Sequence, residues 1–233
     1  MIASVHIADL GRRAALRAVR RAPTAPGLRH ANVAYTAMLG GSLRPSPDLG
    51  RAALVAFWDD DAALERFLSD HPLAAALSGG WHVRLDPLRA FGSWPGLPDD
   101  IPRARKVEHE GPVAAVTLGR MRLTQAPRFF RTSNKAENRV LGAPGLIWTT
   151  GMARPPFVAT CSLWESTEAL SDYAYGSDEP AHSDAIAAGH AKPFHQQAFI
   201  RFRPYGSYGS LDGRNPLSQA WMSPVWQRPT TPD

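Results

Sequence analysis

Two stretches of this sequence follow one pattern: ALVAFWDDDAALERF at residues 53–67 and ATCSLWESTEALSDY at residues 159–173. Each begins with an apolar, strand-like run that ends in a tryptophan, Trp58 or Trp164, and continues with an acidic residue. Acidic and hydroxyl side chains at that point cap the free N–H groups of a helix and favour its dipole. Apolar residues then recur at helical spacing. Both stretches therefore predict a strand followed directly by a helix.

The match continues downstream of these stretches. The pair WH beginning at Trp81 matches the pair FH beginning at Phe194. The run FGSW beginning at Phe91 answers YGSY beginning at Tyr205, which predicts equivalent positions for those two aromatic residues. Because chance seldom gives four matched anchors in the same order, we infer that the chain contains an internal duplication.

Each copy has the element order β-α-β-β-α-β, which is that of a ferredoxin-like unit. In the first copy, a strand over 4–10, a helix over 12–21 and a strand over 31–38 precede the quoted stretch. In the second copy the corresponding elements are predicted over 113–118, 125–140 and 146–150. A final strand closes each copy, near 82–91 and 197–205.

The predicted fold class is α+β, with tandem ferredoxin-like units over residues 1–95 and 111–209. The Pro- and Gly-rich stretch SWPGLPDDIP, residues 93–102, marks the linker, which is assigned to residues 96–110. Residues 210–233 are expected to form a tail over the surface. Since a ferredoxin-like sheet leaves one face without helices, the two bare faces should pack against each other, with a cavity possible between them.

Composition and charge exclude several classes of protein. Lys and Arg number 26 against 21 Asp and Glu, and much of the excess lies in the predicted helix over 12–21. That helix has no aromatic residues between its arginines, which favours a solvated face over nucleic-acid binding. No apolar run approaches the roughly 18 residues that span a bilayer. The lone Cys161 lies in an apolar run, which predicts a buried core residue. A single cysteine cannot form an internal disulfide, which predicts a reducing, cytoplasmic location.

Common catalytic motifs are missing from the sequence. It contains no CxxC, HExxH, P-loop or GxSxG pattern. The glycine-rich residues 40–50 are expected to form a loop between strands, because no helix follows them directly as a dinucleotide fingerprint requires.

Three segments of the second copy carry a further signal: SLWESTEALSDYAYGSDEPAHSDAI at 162–186, KPFHQQAFIRFRPYGSYGSLDG at 192–213 and PRFFRTSNKAENRVLGAPGLI at 127–147. In these segments the second copy resembles the spheroidene monooxygenase family of carotenoid ketolases. It implies a dimeric α/β-barrel fold and a haem protein that activates oxygen, with haem b between the sheet and helices of one copy. The segments GMARPP at 151–156 and SDEP at 177–180 depart from the family pattern and bear on the substrate.

The resemblance also implies that His182 is the axial ligand of the haem iron. His182 lies in the segment that makes the second copy longer, and Pro180 before it predicts the first turn of a helix. A helix N-terminus disfavours imidazolium, and neutral imidazole is the form that binds iron. The alternatives are an exposed helix-start histidine, or a ligand role for His190 or His195 in a predicted loop. A mononuclear iron site of His182, Asp184 and His190 is disfavoured, because residues two apart do not share a helix face.

Three arginines are candidate partners for the haem propionates. Arg131 lies in a basic and aromatic cluster, whereas Arg201 and Arg203 alternate with apolar residues in a strand and should point to one face. Trp164, together with Trp148, is a candidate wall of the pocket. Solvent-facing arginines and core tryptophans are the alternative interpretations.

Three functions are compatible with these features. The first is a haem-dependent monooxygenase that acts on an apolar or natural-product substrate with dioxygen or peroxide. The others are a non-catalytic module that binds haem or a small ligand, and a haem-dependent dehydratase or rearrangement enzyme acting on a nitrogen-containing substrate. A homo-oligomer is compatible with each of them.

Overall fold

A computed structural model describes residues 1–37, 47–104, 108–125, 139–175 and 194–217. In these ranges the chain forms eight strands: β1 Ile2–Asp9, β2 Leu28–Ala37, β3 Pro47–Trp58, β4 Trp81–Gly92, β5 Val113–Met121, β6 Leu146–Arg154, β7 Phe157–Trp164 and β8 Phe194–Gly209. The helices are α1 Arg12–Arg20, α2 Asp61–Asp70, α3 Pro72–Leu77 and α4 Thr167–Tyr175, with a short 3₁₀ turn at Leu123–Gln125. None of the helices in the described ranges is long and apolar enough to cross a membrane.

The strands close into one barrel in the order β1-β3-β2-β6-β7-β5-β8-β4. This order contains β4-β1-β3-β2 (the first unit) and β8-β5-β7-β6 (the second unit), which are the same ferredoxin-like arrangement twice. Antiparallel pairs β2–β6 and β4–β8 join the units. The predicted α+β class and its dimeric α/β-barrel type are confirmed.

Trp58 and Trp164 occupy equivalent positions, as predicted. Trp58 is in register with Ile2 on β1, and Trp164 is in register with Val113 on β5. The indole Nε1 of each donates a 2.8 Å hydrogen bond to a serine hydroxyl, that of Ser4 for Trp58 and that of Ser162 for Trp164. Each indole therefore anchors a strand end through a serine, although Ser4 lies on the neighbouring strand β1 and Ser162 lies on β7 itself.

The tetrapeptide Ala-Pro-Gly-Leu, at 25–28 and again at 143–146, is a further repeat marker that the anchors above do not include. Its glycines, Gly27 and Gly145, both have φ near +75°. Each glycine carbonyl accepts a 2.8 Å hydrogen bond from the N–H of the acidic residue after the anchoring tryptophan. A Cβ on either glycine would meet an alanine of the following helix at 2.5 or 2.6 Å, so only glycine fits the turn.

The predicted alignment of Phe91 with Tyr205 is wrong. Leu85 pairs with Ala3 on β1 and Phe202 pairs with Ala114 on β5, so Leu85 and Phe202 are equivalent. Counting along each strand then makes Phe91 of the first unit equivalent to Tyr208 of the second.

The β4–β8 pairing has two bulges, around Leu88 and Tyr205, and these lie at equivalent positions in the two units, so they do not displace one strand relative to the other. The error arises because the similar tetrapeptides FGSW and YGSY lie at different positions along their strands. The same count makes His82 equivalent to Phe199, so its predicted match with His195 is also wrong. His195 lies in β8, and not in the predicted loop.

The barrel interior is filled by apolar side chains from all eight strands. Trp94 and Ile101, within or beside the predicted linker, are buried in this core. Leu211 and Leu217 are buried there as well, so the described start of the predicted surface tail packs inward. Cys161 is a fully buried core residue as predicted, and burial raises the pKa of its thiol to about 12.

Several element ends differ from the predictions. β3 begins at Pro47, inside the predicted loop over 40–50, and β6 continues to Arg154. The helix predicted over 125–140 falls mostly outside the described residues. On α1 the arginines are exposed while Ala15 and Val19 are buried, as a solvated helix face requires.

Candidate functional site

The outer face of the second unit, meaning the sheet face that points away from the barrel interior, carries small side chains at its centre. Side chains alternate along a strand, so the neighbours of core residues point outward. We call four of these outward positions the floor: Ala115, Thr117, Gly151 and Thr160. Three of them are half-buried, whereas Gly151 is buried. The floor is a shallow surface that a flat ligand could cover.

Three floor positions have large equivalents in the first unit. Strand register gives the pairs His6 and Thr117, Leu54 and Thr160, and Val33 and Gly151. All three first-unit side chains are at most 2% exposed and contribute to packing beneath the helices. The second unit has therefore lost bulk at the centre of its outer face.

Helix α4 covers one end of the floor. Trp164 is fully buried there, and its ring lies 5.0 Å from that of Tyr173 on α4. The equivalent contact in the first unit joins Trp58 and Phe67 at 4.9 Å. Trp164, a predicted cofactor residue, thus has the packing that anchors the helix to the sheet in both units. Trp148 packs toward the barrel interior instead, so it does not share a wall with Trp164.

The opposite end of the floor is limited by Phe194. Its ring lies over Gly119, where an added Cβ would come within 2.5 Å of a ring carbon. Glycine at this position therefore allows the aromatic ring to lie flat on the sheet.

Two buried arginines, Arg89 and Arg201, flank the floor and are called the arginine pair. They are direct register partners on β4 and β8, and each is only 7% exposed. Burial, and after it the charge of Arg89, lowers the pKa of Arg201. Like charges opposite each other in a sheet are unfavourable, so this arrangement favours a bound anion.

Arg201 has an equivalent in the first unit, Arg84, whose charge is compensated. Arg84 pairs with Glu65 of α2 at 2.6 Å. At the position of Glu65 the second unit has Ser171, whose hydroxyl accepts a 3.0 Å hydrogen bond from Arg201. Within the described part of the chain, no carboxylate pairs with Arg201. The two units therefore share the arginine and differ in its partner, a carboxylate in the first and a hydroxyl in the second.

Arg203 points to the same outer face, because the core residue Phe202 separates it from Arg201. Its guanidinium forms a 2.6 Å ion pair with Asp86 of β4. Arg203 is therefore less suited than Arg201 to a ligand carboxylate.

Most of the remaining predicted site residues have no described position. His182 and Arg131 lie outside the described residues, as do His190 and Asp184. His195 is exposed at the start of β8, beside a cleft of about 400 Å³ that Arg120 and Arg122 also line. Among the described residues, no three His, Cys, Asp or Glu side chains gather at a metal-binding distance.

Sequence reasoning missed a column of rings on the outer face of the first unit. His6 stacks on His82 at 4.9 Å, and His82 stacks on Tyr208 at 4.9 Å. The guanidinium of Arg84 lies 5.0 Å from the Tyr208 ring. Burial, and then the charge of Arg84, lowers the pKa of His82 to about 4, and burial lowers that of His6 as well. These residues come together only through the pairing of β1, β4 and β8, so no local sequence pattern indicates that they are in contact.

The geometry of the second unit fits a flat ligand that carries carboxylates. Haem has this shape, and its propionates require cationic or hydrogen-bonding partners, which the arginine pair could supply. The described floor residues include no histidine, cysteine, tyrosine or methionine. An axial iron ligand would therefore have to come from a segment that covers the floor.

Comparison with curated proteins finds relatives of one kind. The chain is 32% identical over 196 residues to a spheroidene monooxygenase from Rubrivivax gelatinosus, covering 81% of this chain and 73% of that protein. A spheroidene monooxygenase from Rhodobacter capsulatus is 27% identical over 187 residues, covering 77% of each protein. One from Cereibacter sphaeroides is 24% identical over 188 residues, and the match spans only 57% of that relative.

Solved structures agree on the fold. An aldoxime dehydratase in complex with butyraldoxime matches 90% of this chain and 82% of its own, with a TM-score of 0.51 and 10% sequence identity. No family model matches the sequence.

Proposed function

Because the chain belongs to the spheroidene monooxygenase family, we propose that it is a haem-dependent monooxygenase whose cofactor lies on the floor of the second unit. The substrate class that fits is an apolar or natural-product molecule, with dioxygen or peroxide as the oxidant. The single observation that carries the haem site is the exchange at one equivalent position. Arg84 pairs with Glu65 in the first unit. Arg201 instead donates to the Ser171 hydroxyl and lies 6.0 Å from the Tyr175 ring, and no carboxylate among the described residues pairs with it.

The arginine pair would hold the cofactor by its carboxylates. A buried guanidinium next to a second one gains most from an anion that reaches both. Arg131, predicted from sequence, is a third candidate for this role. Arg203 acts through its ion pair with Asp86, which fixes β8 against β4 beside the site.

His182, which lies outside the described residues, would bind the haem iron. Haem bound there would supply the oxygen-activating chemistry. The chain's own contribution is to orient the ring and to exclude water. Trp164 and Tyr173 close one end, and Phe194 closes the other.

Three single variants test the assignment of the ligand. Purified chain should take up one b-type haem and show a Soret band. His182→Ala should lose that band or the bound haem, while His190→Ala and His195→Ala should keep both. A colourless chain that gives no shift with hemin would refute the haem proposal. If His190→Ala or His195→Ala is colourless while His182→Ala keeps a normal spectrum, the iron ligand is the histidine whose variant is colourless and not His182.

Activity separates the enzyme from a binding module. The haem-loaded chain, given a linear carotenoid, dioxygen and a reductant, should form a product that contains one more oxygen atom. Haem uptake without any product from carotenoids or other apolar substrates would favour the non-catalytic module. Cytoplasmic location and self-association belong to the same proposal and are measured by fractionation and by light scattering.

A further inference from the structure

Thr117 and Thr160 stand side by side at the centre of the floor. They are register partners on β5 and β7, and both are half-buried. Within the described part of the chain, neither hydroxyl has a hydrogen-bond partner. Thr149, on the same face of β6, differs because its hydroxyl donates to the carbonyl of Cys161 at 3.2 Å. Two hydroxyls are therefore available where the equivalent first-unit residues, His6 and Leu54, are fully packed.

The two threonines lie in one row across the sheet. Gly151 pairs with Thr160, and Phe199 pairs with Thr117, so one small and one aromatic residue flank the pair. Ala115, two residues from Thr117 on the same face, is in register with Arg201. A ligand held by the arginine pair would therefore extend over both hydroxyls.

We propose that Thr117 and Thr160 donate hydrogen bonds to a small ligand with oxygen or halide lone pairs, bound on the sheet-facing side of the cofactor. This inference rests on the proposed haem site. The described floor residues include no iron ligand, so the sheet-facing side of a ring bound there is open and faces these hydroxyls. A hydroxyl is a stronger donor where a bound ring excludes water than in water. Its natural partners here are dioxygen, peroxide and simple anions.

The test uses isosteric variants of the full chain loaded with hemin. Thr117→Val and Thr160→Val keep the side-chain shape and remove the donor. Fluoride binding to the ferric protein, followed by its visible absorption, should weaken about tenfold for each variant, as expected for loss of a hydrogen bond to an anion. The C–O stretch of the ferrous carbonyl form should move to higher wavenumber. Hemin affinity and the Tm should stay near the wild-type values.

Thr149→Val is the matched control, because the Thr149 hydroxyl already donates a hydrogen bond to the backbone carbonyl of Cys161. It should bind fluoride like the wild type. Unchanged fluoride affinity and C–O stretch in both threonine variants, with hemin bound normally, would overturn this inference and leave the haem site standing. Wild-type chain that takes up no hemin would overturn both. A threonine variant that fails to fold is replaced by Thr117→Ser or Thr160→Ser, which should retain the wild-type fluoride affinity if donation is the role.

Discussion

The outer face of the first unit is closed by large side chains, whereas the equivalent face of the second unit is lined by small ones. In the first unit thirteen buried apolar residues join the helices to the sheet. At the centre of the second unit's face, Thr117, Thr160 and Gly151 stand where the first unit has His6, Leu54 and Val33. Both faces lie on the same closed barrel, whose interior core is shared. A duplicated chain can therefore convert one helix–sheet layer into a ligand site while the other layer and the barrel core maintain the fold.

The charged contacts follow the same division. The ion pair of Arg84 with Glu65 belongs to the closed layer, and the hydrogen bond of Arg201 with Ser171 belongs to the open one. The comparison thus predicts two opposite effects. First-unit residues placed in the second unit should weaken ligand binding, and second-unit residues placed in the first unit should lower the stability of the fold.

The largest effect is expected from filling the floor with first-unit residues. The double variant Gly151→Val, Thr160→Leu copies Val33 and Leu54 into the second unit. Its side chains would occupy the space of the ligand, so hemin affinity should fall by about a hundredfold or more. A Soret titration measures this, with the Tm of the apoprotein as the control for folding. Wild-type hemin affinity in a folded double variant would contradict the comparison.

The converse change, Leu54→Thr, should damage the closed layer. Leu54 is fully buried, so the loss of its methyl groups and the burial of a hydroxyl should lower the free energy of unfolding by about 3 kcal/mol. Denaturant unfolding measures the change. Hemin affinity should be unaltered, and a coupled loss of hemin binding in the folded protein would show that the two layers are not independent.

The ring column of the first unit should make stability depend on pH. The unfolded chain protonates its histidines near pH 6.5, but folded His82 does so only near pH 4. Between these values the unfolded state binds more protons, so stability should fall as the pH falls. After allowance for its partial exposure, His82 should account for on the order of 2 kcal/mol.

His82→Phe installs the equivalent second-unit residue, Phe199, and should flatten this pH dependence. The comparison is the difference in unfolding free energy between pH 6.5 and pH 4. The exposed His195→Phe is the control and should keep the wild-type slope. An unchanged slope in His82→Phe would remove His82 as its source.

Ser171→Glu should restore the first-unit ion pair in the second unit. The new carboxylate would compete with the ligand for Arg201, so hemin affinity should fall about tenfold while the apoprotein gains stability. Glu65→Ser makes the opposite exchange in the first unit, where stability should fall and hemin binding should persist. Isothermal titration with hemin measures the affinity of both variants, and thermal unfolding measures their stability. A hemin affinity of Ser171→Glu equal to that of the wild type would count against the anion role of Arg201.

The sequence analysis identified the duplication because its anchors are local. A strand that ends in Trp58 or Trp164, next to an acidic helix start, is encoded within a few neighbouring residues. The pairing of the last strands is not visible in the residue pattern, so Phe91 was matched three residues, and His82 four residues, away from its true equivalent. A local pattern specifies elements well and their pairing poorly.

The candidate site was accessible to sequence only through resemblance. Arg201 was found by strand alternation, but Arg89 lies far from it in the chain and meets it only in the β4–β8 pair. The floor likewise depends on three strands whose register had to be known first. Thr117 and Thr160 are recognised as unusually small only when they are compared with His6 and Leu54. That comparison requires the correct alignment of the two units.

The anomalous scattering of iron from a crystal of the hemin-loaded chain tests the central claim most directly. The account predicts one iron peak for each chain, over Thr117 and Thr160 on the outer face of the second unit, with density to the His182 side chain on the far side of the ring. An iron peak inside the barrel, or on the outer face of the first unit beside His6 and His82, would contradict it.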